Sequence, residues 1–188
     1  MDANDLFLML LVDNPSDIIK ANETDLFYLI PELKLCKGFN QNNEWHIYDV
    51  YEHILHVVDN VPRDLTLRLA ALFHDIGKPF CYSDDENGVG HFYGHYEVSK
   101  NIFDKFSDNN YVDLKLKFIV SNLIFYHDLN ISKLGEDSLR ELYRIFGSDG
   151  IEKLYILKKA DLLAQNKKFH YILNDYEIQK EKVLSKFC

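Results

Sequence analysis

The sequence predicts an all-α bundle of about seven helices, on three observations. Pro and Gly are scarce, 4 and 8 in 188 residues, so few positions interrupt a helix. Leu, Lys and Glu, good helix formers, are abundant. Apolar residues recur at helical rather than strand spacing. The length suits one domain, residues 1–188, with a sizeable core.

The elements follow in order. The first 24 residues read as a helical extension. Its apolar run, Leu6 to Val12, is too short to span a bilayer. Asp5 and Asp13 flank it where a signal peptide would carry positive charge, so a buried helix is expected and no membrane partner. Tyr48 to Val61 reads as a helix closed by Pro62. After Asp64, the residues Leu65, Leu69, Leu72 and Ile76 form one stripe at i, i+4, i+7 and i+11. Gly77 then stands where a C-cap glycine would, and Pro79 cannot continue the helix. Phe80 to Tyr93 is the one long loop, in which Asn87-Gly88 suits a short hairpin. Ser99 to Phe106, entered from Gly94, and Tyr111 to Tyr126 read as the next helices. Asp137 to Phe146 and Gly150 to Ala164 follow, separated by Gly147-Ser148-Asp149. Asn174 to Lys186 is a last, charged helix within the C-terminal segment 167–188.

The formal charge is −9. Residues 1–99 carry 6 basic side chains against 17 acidic ones, and residues 100–188 carry 15 against 13, so any basic rim belongs to the second half. An acidic chain gains nothing from the sequence-independent attraction that drives generic nucleic-acid binding. A nucleotide-like substrate must be held by a local cluster or by metal. Cys36, Cys81 and Cys188 form no C-x-x-C pair, which argues against a disulfide framework or a thiolate zinc site and fits the cytoplasm.

Chemistry concentrates at His74-Asp75, at the end of the apolar run Ala70-Ala71-Leu72-Phe73. A carboxylate facing a core is costly unless paired or bound to metal. Alone, the pair reads equally as a cap or a surface dipeptide. Asp161 falls on the stripe of Leu154 and Leu157, which aims it inward. His53 lies within an apolar helix, and His95 and His127 lie at helix boundaries. Each histidine taken singly is an ordinary satisfied core residue. Six such residues on successive elements fit a His/Asp metal centre at the middle of the bundle better than six coincidences.

The order His53, His74-Asp75, Asp161 resembles the signature of the HD superfamily of metal-dependent phosphohydrolases, with His74-Asp75-Ile76-Gly77 as its central motif. Trp45 to His53, Arg68 to Pro79, His91 to His95 and Lys159 to Gln165 resemble the HD domain of bacterial CCA-adding tRNA nucleotidyltransferases, over roughly residues 25–166. No strand-borne Gly-Ser followed by paired Asp, the mark of a nucleotidyltransferase catalytic domain, is found; Gly147-Ser148-Asp149 reads as a turn. One departure is that Gly94-His95-Tyr96 stands where the family often has Gly-His-Glu, with Glu97 one place late.

The resemblance implies an HD-domain helical bundle and one or two divalent ions, of Mn, Fe, Co, Ni, Zn or Mg. His53, His74, Asp75 and Asp161 would hold the first, and His95 and His127 the second. Asp75 and Lys78 would be catalytic, Lys78 by neutralising phosphate, although it also reads as a helix C-terminal charge. His46 and His91 stand near the mouth or on the surface, Asp128 helps the metal or caps, and His56 and His170 are structural. The implied activity is hydrolysis of a small nucleotide, a cyclic phosphate or a phosphomonoester. The alternative is a metal-binding regulatory or RNA-associated module without turnover, and RNA is disfavoured by the charge.

Overall fold

The computed structural model describes residues 1–187, so Cys188 and the last position of the expected C-terminal segment lie outside the described residues. The class is all-α, with a single two-stranded hairpin among the described residues. The helices number more than seven because the first 36 residues form four short ones. These are α1 (Ala3–Leu10), α2 (Pro15–Ala21), α3 (Glu23–Leu29) and α4 (Pro31–Cys36). Asp2 and Asp5 close a capping box at α1, and Pro15 and Pro31 open α2 and α4, where a missing N–H costs nothing. Leu6, Leu10, Ile19, Leu26 and Leu33 are fully buried.

Helix α5 (Val50–Asn60) starts at Asp49, whose side chain accepts from the Glu52 amide at 2.7 Å. Helix α6 (Leu65–Phe73) starts at Asp64, which accepts from the Leu67 amide at 3.0 Å. The sequence suggested one buried stripe on α6. In fact every residue from Leu67 to Phe73 is buried, because α6 is the central helix, packed against α5 and several later helices.

The chain turns through His74–Gly77 into α7 (Lys78–Cys81). Gly77 is not a left-handed C-cap: its φ is −78° and it begins α7. Its need for glycine is steric. A Cβ there would lie 2.5 Å from the His95 carbonyl oxygen and 2.7 Å from the Ser99 amide nitrogen. Pro79 sits in the first turn of α7 rather than ending a helix. The long loop contains the expected hairpin, β1 (Ser83–Asp84) antiparallel to β2 (Gly90–His91), with Ser83 opposite His91.

Gly94, at φ +78°, makes a left-handed turn that few side chains tolerate and so starts α8 (His95–Asn109) at His95. Helix α9 (Leu114–Tyr126) begins later than its apolar pattern suggested. Tyr111 is in the left-handed region, and Asp113 accepts from the Lys115 and Leu116 amides. Helix α10 (Glu136–Leu163) is bent at Gly147, the position read as a turn. Helix α11 (Ile172–Phe187) packs along α10. Among the described residues no helix is long and apolar enough to cross a membrane.

Candidate metal centre

All six candidate ligands converge on one place. His53 comes from α5, Asp161 from α10, and His74 and Asp75 from the turn after α6. His95 is the first residue of α8, and His127 follows the end of α9. The four imidazoles and Asp75 are buried, and the Asp161 side chain is 19% exposed.

Three of the histidines are held alike. The Nδ1 atoms of His74, His95 and His127 lie 2.8, 2.8 and 2.7 Å from the carbonyls of Ala71, Phe92 and Ile124. A carbonyl only accepts, so Nδ1 carries the proton and Nε2 presents a lone pair to the centre. Asp75 stands between two donor groups. Its Oδ2 lies 3.3 Å from Nε2 of both His53 and His74, and Asp161 Oδ1 lies 3.0 Å from His53 Nε2. Its Oδ1 lies 3.2 Å from His95 Nε2 and 3.6 Å from His127 Nε2.

This donor set fits a divalent ion. His95 Nε2 and His127 Nε2 face each other at 3.3 Å, and Asp75 Oδ1 is a buried acceptor without a hydrogen-bond partner among the described residues. Converging acceptors with no donor between them repel unless a cation satisfies them. Two donors each about 2.1 Å from a tetrahedral ion stand about 3.4 Å apart, close to these spacings. The two clusters, His53–His74–Asp75 and Asp75–His95–His127, share Asp75.

The electrostatics follow from the contacts. Burial pushes the Asp75 carboxyl up, but the surrounding imidazoles and the Lys78 ammonium hold it well below the usual carboxylate range. Burial pulls His53 down, yet its contacts with Asp161 and Asp75 outweigh that and raise it. Burial keeps His127 low and therefore neutral.

Lys78 lies at the cavity wall but is buried, and its ammonium is engaged. It is 2.6 Å from Asp75 Oδ2, donates to Gln41 Oε1 at 2.8 Å, and is 3.3 Å from His46 Nε2. Burial, reinforced by Lys78, pushes His46 down to about 2, so His46 is a neutral acceptor rather than a surface charge. Sequence reasoning missed Gln41, Ser99 and Lys158. Gln41 is a buried loop amide with no periodic pattern to expose it. Ser99 accepts the Gly77 amide at 2.9 Å and so braces the turn that carries Asp75. The Lys158 ammonium donates to the carbonyls of His127 and Leu129, at 2.6 and 3.0 Å, and fixes the end of α9. Its signal was available: a lysine three residues before Asp161, on the same inward face.

Two cavities adjoin the centre. One, of about 370 Å³, is bordered by Asp75, Lys78, His91, Tyr93 and His95. The other, of about 600 Å³, runs between the segment after α9 and helix α11. His46, His127, Asp128, Asp161 and Gln165 border both. The excess of basic residues in the second half does not gather here: Lys158 alone of them lines either cavity, and its ammonium is engaged. His91 lies at the mouth, stacked on Tyr93. Asp128 is exposed beside the centre and Glu97 is exposed on α8, while His56 packs on Tyr48 and takes no part. His170 lines neither cavity.

A helical bundle that gathers four buried imidazoles and two carboxylates at its middle is compatible with binding a divalent metal. The HD domain family model matches residues 44–166, and the chain belongs to that family. It is 40% identical over 79 residues to the CC-adding tRNA nucleotidyltransferase of Thermus thermophilus. It is 34% identical over 79 residues to the A-adding tRNA nucleotidyltransferase of Deinococcus radiodurans. Each match covers 39% of this chain and 18% of the relative, so the chain spans under a fifth of the length of these curated proteins.

Proposed function

We propose that this chain is a metal-dependent phosphohydrolase acting on a small nucleotide, a cyclic phosphate or a phosphomonoester. The observation that carries the proposal is the division of Asp75, one carboxylate oxygen toward His53 and His74 and the other toward His95 and His127. His53, His74, Asp75 and Asp161 would hold one ion, and Asp75, His95 and His127 a second. When bound, such ions supply Lewis acidity and a water nucleophile active near neutral pH. Imidazole and carboxylate donors without thiolate suit Mn, Fe, Co, Ni or Zn, and Mg where carboxylate dominates.

The chain's own residues supply the rest. The backbone carbonyls of Ala71, Phe92 and Ile124 fix three imidazoles in the ligating tautomer. Lys78 anchors Asp75, and Gln165 donates to Asp161 Oδ1 at 3.0 Å. With Lys78 spent on three acceptors, it acts on a substrate phosphate through its field rather than by contact. Free thiols at Cys36 and Cys81 support a cytoplasmic setting.

The names of the curated relatives favour a second reading, a metal-binding module associated with RNA and without turnover. The net charge of −9 weighs against it. A screen of phosphomonoesters, 2′,3′-cyclic nucleotides and nucleotides, with Mn, Co, Ni, Fe, Zn or Mg added, separates the two. We expect turnover that needs metal and is absent from Asp75→Ala. Wild-type protein that never exceeds the variant would favour the binding module.

A further inference from the structure

The cavity of about 600 Å³ beside the metal centre has a composition of its own. Ile172, Asp175, Tyr176 and Gln179 of α11 line it at i, i+3, i+4 and i+7, so one face of that helix forms a wall. This wall lies beyond residue 166, where the family match ends. Trp45, the only tryptophan in the chain, also lines it. One face of its ring is covered by Phe169, with centroids 3.5 Å apart and planes 13° apart. Its backbone carbonyl accepts from the Asn166 amide at 2.8 Å, and the side chain remains 38% exposed. Tyr171, 70% exposed, lines the same space.

Carboxylates, amides, hydroxyls and two imidazoles supply most of the polar groups in this cavity. Asp175 and Gln179 have no hydrogen-bond partner among the described residues, and the sole cation, Lys158, is engaged with two carbonyls. Such a space repels a phosphate and suits a neutral, flat, hydrogen-bonding group. It also adjoins the metal centre, sharing His46, Asp161 and Gln165 as lining with the cavity there.

From this we infer that the cavity is the nucleoside subsite of the phosphohydrolase. The base would stack on the aromatic rings of Trp45 and Tyr171. Asp175 and Gln179 would take the base edge or ribose hydroxyls, while the phosphate lies at the metal centre. The inference rests on the proposed hydrolase reading for its phosphate end, and narrows the substrate class to nucleotides.

Because Trp45 is the sole tryptophan, intrinsic fluorescence reports on this cavity directly. The four common ribonucleosides, which carry no phosphate, should quench it saturably. Tyr171→Ala and Gln179→Ala should weaken that binding by about tenfold or more. In steady-state kinetics the ratio of kcat/KM for a nucleoside monophosphate over glycerol 2-phosphate should fall by a similar factor in both variants. Tyr171 and Gln179 are surface-accessible positions, and circular dichroism checks that the variants fold. Saturable quenching by nucleosides without turnover of any phosphoester would keep the subsite and overturn the hydrolase reading. Turnover of glycerol 2-phosphate with no nucleoside quenching, or with no preference for the nucleotide, would overturn the subsite and leave the hydrolase reading intact.

Discussion

The Lys78 ammonium lies 2.6 Å from Oδ2 of Asp75, the same oxygen that faces His53 and His74. Lys78 therefore sets the position of the carboxylate from behind. Lys78→Met should weaken binding of Mn²⁺ by about 10–100-fold, the usual effect of losing a group that orients a ligand. Titration calorimetry measures this. Unchanged affinity would restore Lys78 to a direct role on phosphate.

Asp75 should be the residue on which all metal depends. Asp75→Ala should purify with neither ion, while His127→Ala should lose the ion at His95 and keep the one at His53 and His74. Elemental analysis of the purified proteins distinguishes these outcomes. Equal loss from both variants would mean a single, shared site.

Metal removal should also show in stability. At free metal about 100 times its dissociation constant, binding adds about 2.7 kcal/mol. For a chain of this size, chelation should then lower Tm by about 5–10 °C. Calorimetry with and without EDTA tests this, and an unchanged Tm would speak against resident metal.

Gly77→Ala tests the close packing of the turn that carries Asp75. Alanine suits the local φ of −78°, yet its Cβ would meet backbone atoms of His95 and Ser99. The expected cost is about 1–3 kcal/mol by urea denaturation, with loss of metal at His95 as α8 is pushed away. A neutral or stabilising effect would contradict the packing.

Asp64 caps α6 and ties it to α10 through Lys153 at 2.6 Å. Burial pushes its carboxyl up, but the bonds from Lys153 and the Leu67 amide outweigh this and leave it below its usual value. A carboxyl depressed in the folded state stabilises above the unfolded pKa, about 3.9, and loses that contribution as pH falls through the folded value. Asp64→Ala should cost about 1–2 kcal/mol at pH 7. The difference from wild type should shrink below about pH 4 in urea titrations. A gap that is constant with pH would assign the loss to something other than the carboxylate.

Much of this was legible from residue types and spacing. The stripe of Leu69, Leu72 and Ile76 announced a buried helix, and His74-Asp75 at its end, ambiguous alone, became a metal candidate beside His53, His95, His127 and Asp161. Asp161 pointed inward by its place on the stripe of Leu154 and Leu157. Asn87-Gly88 marked its hairpin through the turn geometry those residues favour. Each of these signals is local, because helical period, turn chemistry and the cost of burying charge are properties of a few adjacent residues.

The four short N-terminal helices, the role of Gly77 and the commitments of Lys78 were not legible in this way. Gly77 reads as a cap from its neighbours alone. That a Cβ would strike His95 and Ser99 depends on α8 folding back over α7, some twenty residues later. Lys78 reads as a free cation until Gln41, Asp75 and His46 are brought around it.

The sequence by itself determined an all-helical chain and the six candidate metal ligands, since both rest on periodicity and side-chain chemistry. Only the tertiary structure decided that the two oxygens of Asp75 face different histidine pairs. It alone engaged the Lys78 ammonium, at the cavity wall, with a carboxylate, and brought the charged C-terminal helix beside Trp45 to form a second cavity. Those outcomes depend on distances between segments separated along the chain, which packing sets and no local pattern encodes.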